Sequence, residues 1–169
     1  MRKVLQIVER NKASQGIRFA NYAIDRIVVY GFFFAIGIIG VFLDEFLDIS
    51  FLANIVDSIA DINRFEDLLL TSSIYFLYVF LMEYFTNGRT IGKYITGTKV
   101  ISTDNEKIDF QQYFIRNISR LVPFDTLSFF GNNGWHDSWS DTRVVKIKDF
   151  ENAKSGELEI QNLGRKENE

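Results

Sequence analysis

The sequence predicts an all-α membrane protein. It reads as two transmembrane helices, a third helical segment that is interfacial, re-entrant or spanning, and a small cytoplasmic β element. Two apolar runs carry this prediction. Ile27 to Leu43 has no charged residue, and Leu68 to Phe85 carries only Glu83. An 18-residue helix is about 27 Å long at 1.5 Å per residue, close to the hydrocarbon thickness of a bilayer. Soluble core helices seldom stay apolar on every face for that length. The third observation is the segregation of charge between the runs, which gives them an orientation.

Bulk composition hides this pattern. Hydrophobic residues make up 47% of the 169-residue chain, against 24% charged. Seventeen phenylalanines and seven tyrosines suit interfacial and helix-packing positions. The length fits one membrane domain over 1–149, with spans about 17–43 and 68–85 and a third segment about 111–130, followed by a polar, mobile tail over 150–169. The first run is longer and bulkier than a signal peptide and is followed by Asp44-Glu45 rather than a small-residue cleavage site. With no cysteine, thiolate catalysis, thiolate metal sites and disulfides are excluded. A net charge of −3 with no basic patch interleaved with aromatics argues against nucleic acid as a partner.

Arg2, Lys3, Arg10, Lys12 and Arg18 precede the first span, and Arg89, Lys93, Lys99, Lys107 and Arg116 follow the second. Between the spans, Asp44, Glu45, Asp48, Asp57, Asp61, Glu66 and Asp67 face a lone Arg64. The positive-inside rule therefore puts the amino terminus and the 86–116 segment in the cytoplasm and the 44–67 loop outside. Within that loop, apolar residues at 49, 52, 55, 56, 59 and 62 have helical spacing, as expected of an amphipathic helix on the outer leaflet or one capping the spans; a lid or a cation-attracting vestibule is the alternative.

On the cytoplasmic side, NGRTIGKYITG reads as a glycine-rich turn with a short helical or looped connection. TGTKVISTDNEKIDF reads as a hairpin around Asp104-Asn105. The segment from Gln111 to Gly131 is interrupted by Arg116, Arg120, Asp125 and Pro123, the only proline, so it is expected to lie at the interface or to re-enter rather than cross. TRVVKIKD resembles GTKVIS as a strand. If the two pair, they lie on one side of the membrane, and the carboxyl terminus is cytoplasmic.

GIRFANYAIDRI, GRTIGKYITGTKV, RNISRLVP and WHDSWSDTRVV, in that order, resemble the blocks of the RDD family of small membrane proteins. That family is named for an arginine before its first span, an aspartate within it and an aspartate near the carboxyl end. Arg18 and Asp25 match the first two and Asp137 the third. Gly88, Thr90, Gly92, Lys93, Gly97 and Val100 match a G-x-T-x-G-K-x-x-x-G-x-x-V connection, and His136 and Thr142 flank the last aspartate. Arg26 and Asp141 depart from the pattern. The resemblance implies a membrane fold and, for some members, a role in ion or proton-coupled transport.

The residues themselves define an intramembrane charge cluster: Arg18, Asp25, Arg26, Glu83, Arg116 and Arg120. Arg18 and Asp25 share a helix face about 10 Å apart along the axis, too far for an easy direct pair. Arg18 can snorkel toward the headgroups, whereas Asp25 needs a proton or a partner, for which Arg26, Arg116, Arg120, Arg89 and Lys93 are the candidates. An acid at this depth is a functional-site hypothesis, and a structural clamp between helices is its rival. GRTIGKY is too short for a phosphate loop and has Tyr94 where a hydroxyl residue is needed. His136-Asp137 reads most simply as a loop-closing pair, with Asp137 accepting from backbone amides near Thr142. A single histidine gives little basis for a metal site or for nucleophilic catalysis.

Two expectations follow. One is a component of ion or proton-coupled transport with Asp25 as the intramembrane acid, using protons or monovalent cations and requiring a homo-oligomer or larger membrane complex. The other is a non-catalytic scaffold or accessory subunit in the lipid bilayer. Neither calls for a cofactor, and an enzyme is not expected.

Overall fold

The computed structural model describes residues 2–103, 107–120 and 135–166. Helix α1, Arg2–Arg10, precedes the long helix α2, Gln15–Leu47. Ser14 starts α2 by accepting from the Ile17 amide, and Asp48 ends it in the left-handed conformation. The short helix α3, Phe51–Ala60, leads to α4, Arg64–Phe85. A capping box starts α4: the Asn63 side chain accepts from the Phe65 and Glu66 amides, and Glu66 reaches back to the Asn63 amide. The acidic residues Glu66 and Asp67 also suit the positive end of that helix dipole.

Both long helices exceed their expected limits. Asp44 and Glu45 fall inside α2, and Arg64 to Asp67 form the first turn of α4, so the connection of 44–67 shrinks to the segment carrying α3. That helix takes its predicted form and packs on α2 where Gly40 lets the backbone of Leu52 and Ala53 approach.

The most apolar stretches of α2 and α4 have only 11% and 17% of their residues buried. A core helix of a soluble protein would hide such residues, yet Ile27, Phe32, Phe34, Phe65 and Leu68 are each more than 60% exposed. Both helices are long and apolar enough to cross a membrane. They meet through a small cluster in which Val29, Tyr75 and Val79 are buried, with Tyr22, Phe33, Ile74 and Tyr78 packed against it.

The remaining elements gather at one end of the pair. Helix α5, Ile91–Thr96, crosses α2 and leads into strand β1, Thr98–Ser102. Helix α6, Phe110–Ser119, begins with a capping box between Asp109 and Gln112 and packs on α4 through edge-on contacts of Phe110, Tyr113 and Phe114 with Phe76, Phe80 and Tyr84. Helix α7, Trp135–Trp139, strand β2, Thr142–Lys146, and helix α8, Ile147–Lys166, complete the order.

Strand β1 pairs antiparallel with β2, Val100 opposite Val144 and Ser102 opposite Thr142. Residues 11–13 extend the same sheet: the Ala13 amide donates to Val144 at 2.8 Å and Lys12 bridges to Val145. The chain before α2, the chain after α4 and β2 thus lie at one end of the long helices.

Two expectations differ from this arrangement, and a third falls partly outside the described residues. Among the described residues no strand follows β1 locally, because β1 finds its partner in β2 and residues 107–109 lead directly into α6; the expected turn at Asp104-Asn105 lies outside the described residues. The third segment is helical only to Ser119 among the described residues, and its remainder, with Pro123 and Asp125, also lies outside them. The polar segment 150–169, expected to be a mobile tail, is part of α8 as far as Lys166.

Candidate functional site

The polar face of α2 begins at Arg18, Asn21 and Asp25. Their spacing of three and then four residues places them on one stripe, and all three are buried. Helix α4 brings Tyr78 and Glu83. Helix α6 brings Arg116, Asn117 and Arg120, and α7 brings Asp137.

Asp25 does not meet an arginine. Its Oδ2 accepts from the Thr90 hydroxyl at 2.7 Å; its Oδ1 accepts from the Gly92 amide at 2.8 Å and from the Tyr78 hydroxyl at 3.0 Å. It has no ion pair among the described residues. Charge attraction alone predicts a cation beside Asp25, because a buried carboxylate is costly without compensation. Two hydroxyls and a backbone amide supply that compensation here. Next to it, the Asn21 amide donates to Thr98 Oγ1 at 3.0 Å, and the Thr96 hydroxyl donates to Asn21 Oδ1 at 2.5 Å.

The charges pair elsewhere. Glu83, fully buried, holds Lys93 Nζ at 2.5 Å and lies 3.4 Å from both Arg116 Nε and Arg120 Nη2. Asn117 donates to its second oxygen at 3.0 Å. Asp137, also fully buried, forms a close ion pair with Arg116 and lies 3.4 Å from Arg18 Nη1. Arg116 also donates to the Thr142 hydroxyl at 2.9 Å. One guanidinium therefore bridges both acids, giving a continuous chain Arg18–Asp137–Arg116–Glu83–Lys93. Asp137 is thus an ion-pair partner as well as a candidate for closing its loop; of His136 only its place in α7 is described.

Arg26 stands apart from the chain. Its guanidinium lies over the Tyr75 ring at 4.1 Å and the Tyr22 ring at 5.4 Å. Burial pushes Lys93 down from 10.5 to about 8; Glu83 opposes that shift, and Arg120 and Arg116 add to it. Among the described residues, no three histidine or acidic side chains cluster as a metal site would.

The blocks from Arg18 to Asp137 therefore meet in one buried hub. A family model, described as the RDD family, matches residues 12–141. The chain belongs to the RDD family. Comparison with curated proteins gave no match, and comparison with solved structures gave none.

In this RDD protein, each residue of the connecting motif has a physical task. Thr90 caps α5 and donates to Asp25. Gly92 lies where α5 crosses α2: a Cβ there would stand 2.5 Å from the Asn21 carbonyl oxygen and 3.1 Å from the Asp25 carboxyl carbon. Lys93 reaches Glu83. Gly88 has φ +91° and touches β1 so closely that a Cβ would lie 2.7 Å from the Val100 carbonyl oxygen. Gly97 ends α5 in the left-handed conformation.

The sequence reading did not single out Asn21, Tyr78, Thr98 or Asn117 for the hub. Helical spacing carries a signal for two of them: Asn21 lies between Arg18 and Asp25, and Asn117 lies on a stripe with Tyr113, Arg116 and Arg120.

Proposed function

We propose that this RDD protein is a non-catalytic membrane scaffold or accessory subunit, in which the buried hub fastens cytoplasmic elements to the ends of two spanning helices. The carrying observation is the set of fixed donors around Asp25. Thr90 and Gly92 come from one segment and Tyr78 from α4, so the carboxylate joins α2 to both. Glu83 joins α4 to α5 and α6, and Asp137 joins α2, α6 and α7. Buried ionic groups of this kind favour one arrangement of helices over others.

The amino-terminal residues, β1 and β2 are placed in the cytoplasm on this reading, with the chain between α2 and α4 outside. Lysine and arginine dominate before α2 and after α4, and the shared sheet puts these segments together. The exposed apolar faces of α2 and α4 suit lipid and the neighbouring subunits of a homo-oligomer or larger membrane complex.

Ion or proton-coupled transport is the second reading. Lys93 favours it, because a buried amine titrating at about 8 exchanges its proton near neutral pH. Liposomes containing the purified protein separate the two. With proton flux followed under imposed Na⁺ or K⁺ gradients, the scaffold reading expects the wild type to match empty liposomes. Gradient-dependent flux in the wild type would favour transport.

A further inference from the structure

Beside the hub, between α2 and α4, runs a cleft of about 750 Å³. Arg26 and Arg64 put two positive charges on its wall, and Thr71 and Ser72 add hydroxyl groups. Asp67 also lines the cleft, and its Oδ1 accepts the Thr71 hydroxyl at 3.1 Å.

Arg26 is the unusual member. The rings of Tyr75 and Tyr22 hold its guanidinium by cation–π contact. Its Nε is buried without a hydrogen-bond partner, and no carboxylate pairs with it among the described residues. Every other hub arginine, Arg18, Arg116 and Arg120, has an acid within 3.4 Å. A guanidinium carries five donors in a planar fork suited to carboxylate or phosphate. Placed in an apolar helix without an acid, it calls for an anion from outside the chain.

The edges of the cleft say what kind of anion. Tyr30 and Leu68, which line it, are 56% and 62% exposed, and Ile27 and Phe65 beside them are 70% and 68% exposed. A ligand seated there meets the charges of Arg26 and Arg64 within the cleft and open apolar helix surface along its edges. We propose that this cleft binds the phosphate headgroup of an acidic phospholipid, with Arg26 as the principal anchor, Arg64 as a second cation and the acyl chains lying along α2 and α4. This inference is independent of whether the hub is a scaffold or part of a transport pathway.

Native mass spectrometry of the detergent-purified full chain tests it, using phosphatidylglycerol, phosphatidylcholine and inorganic phosphate as separate probes. The wild type is expected to retain phosphatidylglycerol in preference to phosphatidylcholine. Arg26→Gln should reduce that preference by about tenfold, the size expected for one charge-assisted contact, and Arg26→Lys should restore part of it. Arg64→Gln changes an exposed residue at a helix start. It should weaken retention several-fold without altering the melting temperature, which keeps the test decisive if Arg26→Gln fails to fold. Equal retention of the two lipids by the wild type would overturn the proposal. So would undiminished preference in both the Arg26→Gln and Arg64→Gln proteins. Competition by inorganic phosphate as strong as that by phosphatidylglycerol would assign the cleft to a free anion and overturn the lipid.

Discussion

Arg18 pairs with Asp137, 119 positions away in the chain, and not with Asp25, its neighbour on the same helix face. The arginine and the carboxyl-end aspartate of the family pattern are thus joined across the fold, while the aspartate of the first long helix, Asp25, belongs to a separate set of neutral donors. Arg116 completes the pairing by binding Asp137 on one side and Glu83 on the other. Replacing members of this chain should have unequal effects. Asp137→Asn leaves Arg18 without its acid and Arg116 with Glu83 alone, both in a buried place, and should cost about 3–5 kcal/mol. Arg18→Gln leaves Asp137 still paired with Arg116 and should cost less. Melting temperatures of the two variants in one detergent check the order.

Thr90→Val keeps the shape of the side chain and removes the hydroxyl that Asp25 Oδ2 accepts. A buried carboxylate oxygen then loses a charge-assisted hydrogen bond, for a destabilisation of about 1.5–3 kcal/mol, and α5 loses its cap, worth about 1 kcal/mol more. Thr90→Ser should recover most of the loss. Denaturant or thermal unfolding of the three proteins measures this directly.

Gly92→Ala should force α5 away from α2, because the added carbon meets the Asn21 carbonyl oxygen at 2.5 Å and backbone cannot swing aside. The expected cost is about 1–3 kcal/mol. Gly37→Ala is the control: that position has nothing within 4 Å, and helix propensity there favours alanine by about 1 kcal/mol. Opposite shifts in melting temperature for the two glycines are the predicted result.

Lys93 gives a pH dependence of defined sign. Its ammonium loses a proton at about 8 when folded, against 10.5 when free. Between those values the unfolded chain binds more protons, so this group's contribution to stability rises with pH across that window. Below pH 8 the amine is charged in both states, and the full cost of burying it is present. Lys93→Met, which leaves Glu83 beside Arg116 and Arg120, should flatten the stability profile between pH 8 and 10.5. Unfolding free energies of both proteins across that range make the comparison.

The long apolar runs are visible in sequence because a spanning helix needs length and composition and little else. The pairing of GTKVIS with TRVVKIKD was legible as a conditional, since similar strands invite pairing, but its choice over a local hairpin depends on a fold-wide contact that residue order does not display. Arg18 and Asp25 stood out through charge in an apolar setting. What held them did not. Charge attraction suggested an arginine for Asp25, whereas hydroxyl and backbone donors have no comparable signature, and the Gly92 amide has none. Helix α8 has no clear signature for a related reason: a polar sequence without an apolar stripe gives the helix period little to act on.

The central claim is that Asp25 is fixed by the segment carrying Thr90 and Gly92. A double-mutant cycle of Asp25→Asn and Thr90→Val, read by unfolding free energy, tests it most directly. Direct contact predicts that the double variant loses less stability than the two single variants together, with a coupling energy of about 1–3 kcal/mol. Additive losses would mean that Asp25 and Thr90 do not hold one another, and would contradict it.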